Sequence, residues 1–169
     1  MSEIFDLKPF EGLEIDGSYI LLVHPQTIPH LIFIHHENYF SLTHKEVEFN
    51  VPIKPMMKKL CRLNKRMIFI KIKKNQFDPK PVFSKYEKVD EQLITCLYPI
   101  KELLLPDSQA EMIFELVPEL YENQLIESVS QMNLTEYLDS KGNFTLNEYK
   151  KQAIFSYIEQ LNKQDADRK

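Results

Sequence analysis

The apolar residues of this chain change period once along its length, from two before about Asn75 to nearer four after a Pro79 to Pro81 linker. Side chains alternate across a strand but recur every three to four residues on a helix face, so this switch demands strands first and helices afterwards. The fold class it predicts is α+β: a small antiparallel sheet of about four strands from the N-terminal half, packed against helices from the C-terminal half.

The strand half divides at its turn residues. Ser18 to His24, His30 to His36 and Tyr39 to Phe49 are short apolar or alternating runs, separated by a His-Pro-Gln-Thr-Ile-Pro segment and by Glu37-Asn38. In the third run Phe40, Leu42 and His44 share one face, and Ser41, Thr43 and Lys45 the other. Pro52 and Pro55 break that run. Met56, Met57, Leu60 and Leu63 then recur at helical spacing opposite Lys58, Lys59, Arg62 and Arg66, which predicts a short basic amphipathic helix. Met67 to Lys73 alternates again and predicts a fourth strand.

Beyond the linker, helix signals dominate. Ser108 with Glu111 and Thr145 with Glu148 have capping-box spacing, and Pro118 suits a first helical position. Tyr149, Ala153, Tyr157 and Leu161 form the stripe of a last helix that frays near Lys163. A chain of 169 residues is the size of one domain, so the expected organisation is a single domain over 1–169, strand-rich over about 17–75, helix-rich over about 87–163 and mobile over about 163–169.

Several function classes are disfavoured by what the chain contains. Gly12, Gly17 and Gly142 are too scattered for a phosphate-cradling loop. The longest apolar runs fall far short of the roughly 20 residues a membrane-spanning helix needs, and the opening Ser2-Glu3-Ile4-Phe5-Asp6 is acidic where a secretory leader is basic. The expected location is therefore cytoplasmic, where Cys61 and Cys96, which have no CxxC spacing, would stay thiols.

Charge is segregated. Lys54 to Lys74 holds nine basic residues and no acidic one, whereas Glu87 to Glu148 holds thirteen acidic residues against three basic ones. A cationic helix and lysine-bearing strand would suit phosphates, but the net charge is −4 and no aromatic-interleaved motif accompanies them. Nucleic acid is accordingly the third reading. The segregated surfaces fit better a protein partner, or one another within the chain.

All five histidines, His24, His30, His35, His36 and His44, fall in the first three strand runs. None has zinc-ligand spacing, so neither a metal nor another cofactor is expected. Asp139 to Glu148 has its glycine at the fourth position and Lys150 where a calcium loop has its bidentate glutamate, so it reads as a loop running into a helix.

The sharpest chemical pairing is Cys96 with His30. A helix amino terminus and a neighbouring imidazolium both lower a thiol pKa, and Thr95 is a suitable cap for a helix beginning at Cys96, with Pro99 still tolerated beside its first turn. The alternative is that Cys96, between Ile94 and Leu97, simply fills apolar space.

Gly17-Ser18-Tyr19-Ile20-Leu21, then His30-Leu31-Ile32-Phe33-Ile34, a hairpin, a short helix, a strand and Cys96 follow one another in this chain. Over about Gly17 to Leu105 this order resembles the permuted papain-like branch of the NlpC/P60 hydrolases, in which the histidine strand precedes the cysteine helix. Ser18 stands where that family has an aspartate, and Leu97-Tyr98-Pro99 where it has small residues. The resemblance implies a cysteine-dependent amide or ester hydrolase or acyl-transfer enzyme, with Cys96 as nucleophile and His30 as general base and then acid. His44, with Glu46 as fallback, would orient the imidazole, and the implied partner is a substrate carrying an amide or ester. The competing expectation is a non-catalytic interaction or regulatory module on the same scaffold.

Overall fold

The computed structural model describes residues 2–11, 15–73, 76–89 and 95–167. In chain order it contains β1 (Ser2–Ile4), β2 (Lys8–Pro9), β3 (Ser18–Val23), β4 (His30–His35), β5 (Asn38–Leu42), β6 (Val47–Pro52), α1 (Ile53–Arg62), β7 (Met67–Ile72) and α2 (Pro79–Phe83). There follow α3 (Leu97–Leu104), α4 (Ile113–Glu122), β8 (Ile126–Met132), a 3-10 turn (Thr135–Tyr137), β9 (Phe144–Leu146) and α5 (Lys151–Asp167). Gly12, Lys74, Asn75, Ile94 and the tail beyond Asp167 lie outside the described residues.

The α+β class holds, but the sheet is larger than about four strands. Among the described residues seven strands form the main sheet, in the order β2-β8-β7-β3-β4-β5-β6, and β1 pairs with β9 in a second, two-stranded sheet. Two local events account for much of the difference. The Tyr39 to Phe49 run is two strands, because the Thr43 hydroxyl donates to the Glu46 carbonyl at 2.8 Å and accepts from the Lys45 and Glu46 amides, turning the chain back on itself. Ile126–Met132, in the half expected to be helical, pairs antiparallel with β7 and parallel with the short β2.

Both faces of the sheet are covered, which explains why YILLV and LIFI read as unbroken apolar runs instead of clean alternations. One face presents Ile20, Leu22, Leu31, Phe33, Ile68 and Ile70 to residues of α2, α3 and α4. The other presents Leu21, Ile32, Ile34 and Phe69 to Ile53, Met56, Met57 and Leu60 of α1. The basic helix packs this part of its expected stripe on the sheet, but it ends at Arg62, so Leu63 is an exposed cap residue and Arg66 lies beyond it. Phe10 stacks on Phe69 at 4.0 Å between ring centroids.

The caps fall elsewhere than predicted. Helix α4 starts at Ile113, and the carboxylate that reaches back is that of Glu115, accepting from the Glu111 and Met112 amides at 2.7 and 3.1 Å. Ser108 instead closes a turn onto the Ala110 amide, and Pro118 lies inside the helix. Thr145 is a strand residue opposite Glu3, and α5 begins only at Lys151. The Pro79 to Pro81 linker is itself the start of α2, capped by Asp78 accepting from the Lys80 amide at 3.1 Å. No helix among the described residues is long and apolar enough to cross a membrane.

Candidate active site

Three strand ends meet at one end of the sheet. β3 finishes at Val23, β4 starts at His30 directly opposite it, and β5 finishes at Leu42 on the other side of β4. Continuing the Phe33–Phe40 register by one step sets Ser41 opposite Ile32, which makes it the diagonal, same-face neighbour of His30. The result is a 2.7 Å hydrogen bond between Nε2 of His30 and Oγ of Ser41. Ser41 is buried, so the imidazole is held by a partner that water does not compete for.

Cys96 occupies the N-cap of α3. Thr95 serves the helix end from one position earlier, its hydroxyl accepting from the Leu97 amide at 3.3 Å. The Cys96 sulfur faces the backbone amide of Leu31, the residue after His30, so the thiol sits at the head of β4. Burial pushes this thiol up to about 11, and the Leu31 and Cys96 amides only partly offset that. Burial also lowers the His30 imidazole to about 4, with the charge of His44 acting in the same direction. Thiol and imidazole are therefore both uncharged at neutral pH. Among the described residues no hydrogen bond joins the Cys96 sulfur to a histidine ring.

Cys96, His30 and His44 line one cavity of about 540 Å³. Val23, Ile28 and Leu42 from the strand ends and Ile154, Ile158 and Leu161 of α5 also line it. His44 does not bond to His30. It turns instead toward α5, where its Nε2 lies 3.1 Å from Oδ2 of Asp165, and Lys45 adds a second contact to the same carboxylate at 3.3 Å. The side chain bonded to the His30 ring is thus Ser41 and not His44, and Glu46 is an exposed turn residue. The available signal for Ser41 was a single small polar side chain between Phe40 and Leu42 in the Tyr39-Phe40-Ser41-Leu42 run.

The remaining histidines do other things. His24 lines the cavity, with a left-handed backbone at φ 59°. His35 Nδ1 bonds Ser18 Oγ at 2.9 Å, and exposed His36 forms the β4–β5 turn. Among the described residues no three His, Cys, Asp or Glu side chains converge as a metal site. Asp139 accepts from the Lys141 and Asn143 amides at 2.8 and 3.0 Å and so spends its carboxylate on its own turn.

The basic stretch is shared between two settings. Arg66 pairs with Glu136 and Lys71 with Glu127, both within the chain. Lys54, Lys58, Lys59 and Arg62 are exposed on α1 and make no ion pair among the described residues.

The chain matches no protein-family model, no curated protein and no solved structure.

Proposed function

We propose that this protein is a cysteine-dependent hydrolase or acyl-transfer enzyme acting on an uncharged amide or ester, with Cys96 as nucleophile and His30 as general base. The observation that carries this reading is the cavity onto which both side chains open, with His30 Nε2 already committed to Ser41. In the tautomer in which Nε2–H donates to Ser41 Oγ, Nδ1 is the nitrogen left to receive the thiol proton. The order of elements, His30 on β4 ahead of Cys96 at α3, is that of the permuted papain-like NlpC/P60 branch and supports the same assignment.

The uncharged resting pair implies a general-base sequence. Sγ bonds to the carbonyl carbon as its proton passes to His30. The carbon–nitrogen or carbon–oxygen bond then breaks, and His30 returns the proton to the leaving amine or alcohol. Water, giving one proton to His30, attacks the resulting thioester; the carbon–sulfur bond breaks, His30 returns that proton to the departing sulfur, and a carboxylic acid and the free thiol result. An amine or alcohol in place of water completes an acyl transfer. Two free cysteines, Cys61 and Cys96, support a reducing, cytoplasmic setting.

Intact-mass analysis after mixing with p-nitrophenyl esters tests the proposal. An acyl adduct on Cys96 that is absent from Cys96→Ala is the expected result; no adduct and no nitrophenol release beyond Cys96→Ala would remove the enzyme reading. The second reading, a non-catalytic interaction or regulatory module on the same scaffold, draws on the uncharged thiol and on the lack of a sulfur–imidazole hydrogen bond among the described residues.

A further inference from the structure

Helices α1 and α4 pack on opposite faces of the main sheet, and each turns a row of one charge sign away from it. Every exposed residue of α1 is basic except Pro55: Lys54, Lys58, Lys59 and Arg62. Every exposed residue of α4 is acidic except Pro118: Glu115 and Glu122, with half-buried Glu119 between them. None of these charged side chains makes an ion pair among the described residues. Each row costs its helix stability. Like charges three or four residues apart repel, Lys54 stands at the positive end of the α1 dipole, and Glu119 and Glu122 stand at the negative end of the α4 dipole. The sheet between the two helices keeps the rows from reaching each other within one chain, so whatever offsets them comes from outside it.

We infer that the exposed face of α1 docks on the exposed face of α4 in a second copy of this chain. The pitch of the two rows fits. Along the helix axis Lys54, Lys58 and Arg62 follow one another at about 6 Å, and Glu122, Glu119 and Glu115 at about 4.5 and then about 6 Å. Run antiparallel, the helices set Lys54 against Glu122, Lys58 against Glu119 and Arg62 against Glu115, and each dipole meets its opposite end. Glu115 keeps Oε1 for this contact, because Oε2 makes both of its amide bonds. Since the two faces lie on opposite sides of the sheet, the contact is head-to-tail and leaves one row free at each end, so association continues into short open chains. Nucleic acid is the poorer occupant: it would meet four cations on a molecule of net charge −4, with no exposed aromatic on α1 to stack a base. This contact is independent of the thiol chemistry.

Sedimentation velocity of the full chain over a concentration series tests this. Exposed ion pairs are weak one by one, so association should show at low salt and high protein concentration. It should weaken about tenfold or more between about 0.01 and about 0.15 M salt, as the Debye length falls from about 30 to about 8 Å. Two charge-reversed variants identify the faces: Lys54→Glu with Lys58→Glu and Arg62→Glu on α1, and Glu119→Lys with Glu122→Lys on α4. Each alone should stay monomeric at the salt where the native chain associates. An equimolar mixture of the two should associate again, because it holds one native α1 face and one native α4 face, and that recovery also shows both variants folded. The single changes Lys58→Glu and Glu119→Lys disturb either helix less, and each should weaken association several-fold. A native chain that is monomeric at low salt, association that salt does not weaken, or association unchanged in both single variants would overturn the inference. So would a mixture that stays monomeric while circular dichroism shows both variants folded, or a monomeric chain that binds a short fluorescent DNA duplex through α1.

Discussion

Nε2 of His30, at the head of β4, and Oγ of Ser41, one residue from the end of β5, lie 2.7 Å apart, so one of the two ring nitrogens is tied to a buried hydroxyl. Replacing Ser41 by Ala leaves a buried imidazole nitrogen without its partner. The expected cost is about 1–3 kcal/mol of stability, read from a denaturant midpoint. On the proposed thiol mechanism, turnover should fall more in kcat than in KM, because the ring loses orientation while the cavity keeps its lining. Ser41→Thr, which retains a hydroxyl, should recover part of that loss if repacking is tolerated.

The second expectation concerns pH and stability. The His30 pKa is lowered to about 4 in the folded chain against 6.5 for the unperturbed ring, chiefly by burial. Between those values the unfolded chain binds the proton and the folded chain does not, so stability falls as pH drops below about 6.5 and stops falling for this reason below about 4. The full loss is roughly 3 kcal/mol at 1.36 kcal/mol per unit. His30→Gln should flatten this segment of the stability profile, measured by urea unfolding at a series of pH values. An unchanged profile would mean that the ring is not desolvated.

Alkylation reports the state of the thiol. With its pKa pushed up to about 11, Cys96 should react with iodoacetamide along a curve whose midpoint lies near that value. At pH 7 it would then hold a few-hundred-fold less thiolate than an unperturbed thiol of about 8.5. Peptide-resolved mass spectrometry separates its labelling from that of Cys61. A midpoint below 7 would instead reveal a preformed thiolate.

The contact between α5 and the loop after β5 should govern access to the cavity. The His44 bond, ahead of Lys45, holds the Asp165 carboxyl below its usual range. Asp165→Asn removes the charge with little change of shape and should speed Cys96 alkylation several-fold, with little shift in the global melting temperature. Equal labelling rates in both proteins would show that this contact does not control entry.

How far the sequence went can be judged element by element. The runs at Ser18–Val23, His30–His35 and Met67–Ile72 and the stripe of α1 were legible because each is bounded by its own turn residues and carries its period within its own length. The strand at Ile126–Met132 was not. Its Glu127, Ser128, Ser130 and Gln131 give little β signal, and it is a strand because β7 offers it a row of backbone partners from a distant part of the chain. The capping-box spacings misled for a related reason: Ser108 and Thr145 have hydroxyls that suit turns and strands as well as helix ends, and neighbouring packing decided among them.

The candidate site divides in the same way. Sequence alone determined that an imidazole would stand at the head of one strand and a thiol at the start of a later helix, since Pro29 before His30 and Thr95 before Cys96 act locally. Only the tertiary structure decided that both open on one cavity, that Ser41 and not His44 holds the ring, and that α5 closes the space above them. Those outcomes depend on strand register and on helix docking across more than fifty residues of chain. Local periodicity reports which face of an element is buried, but it carries no record of what that face is buried against.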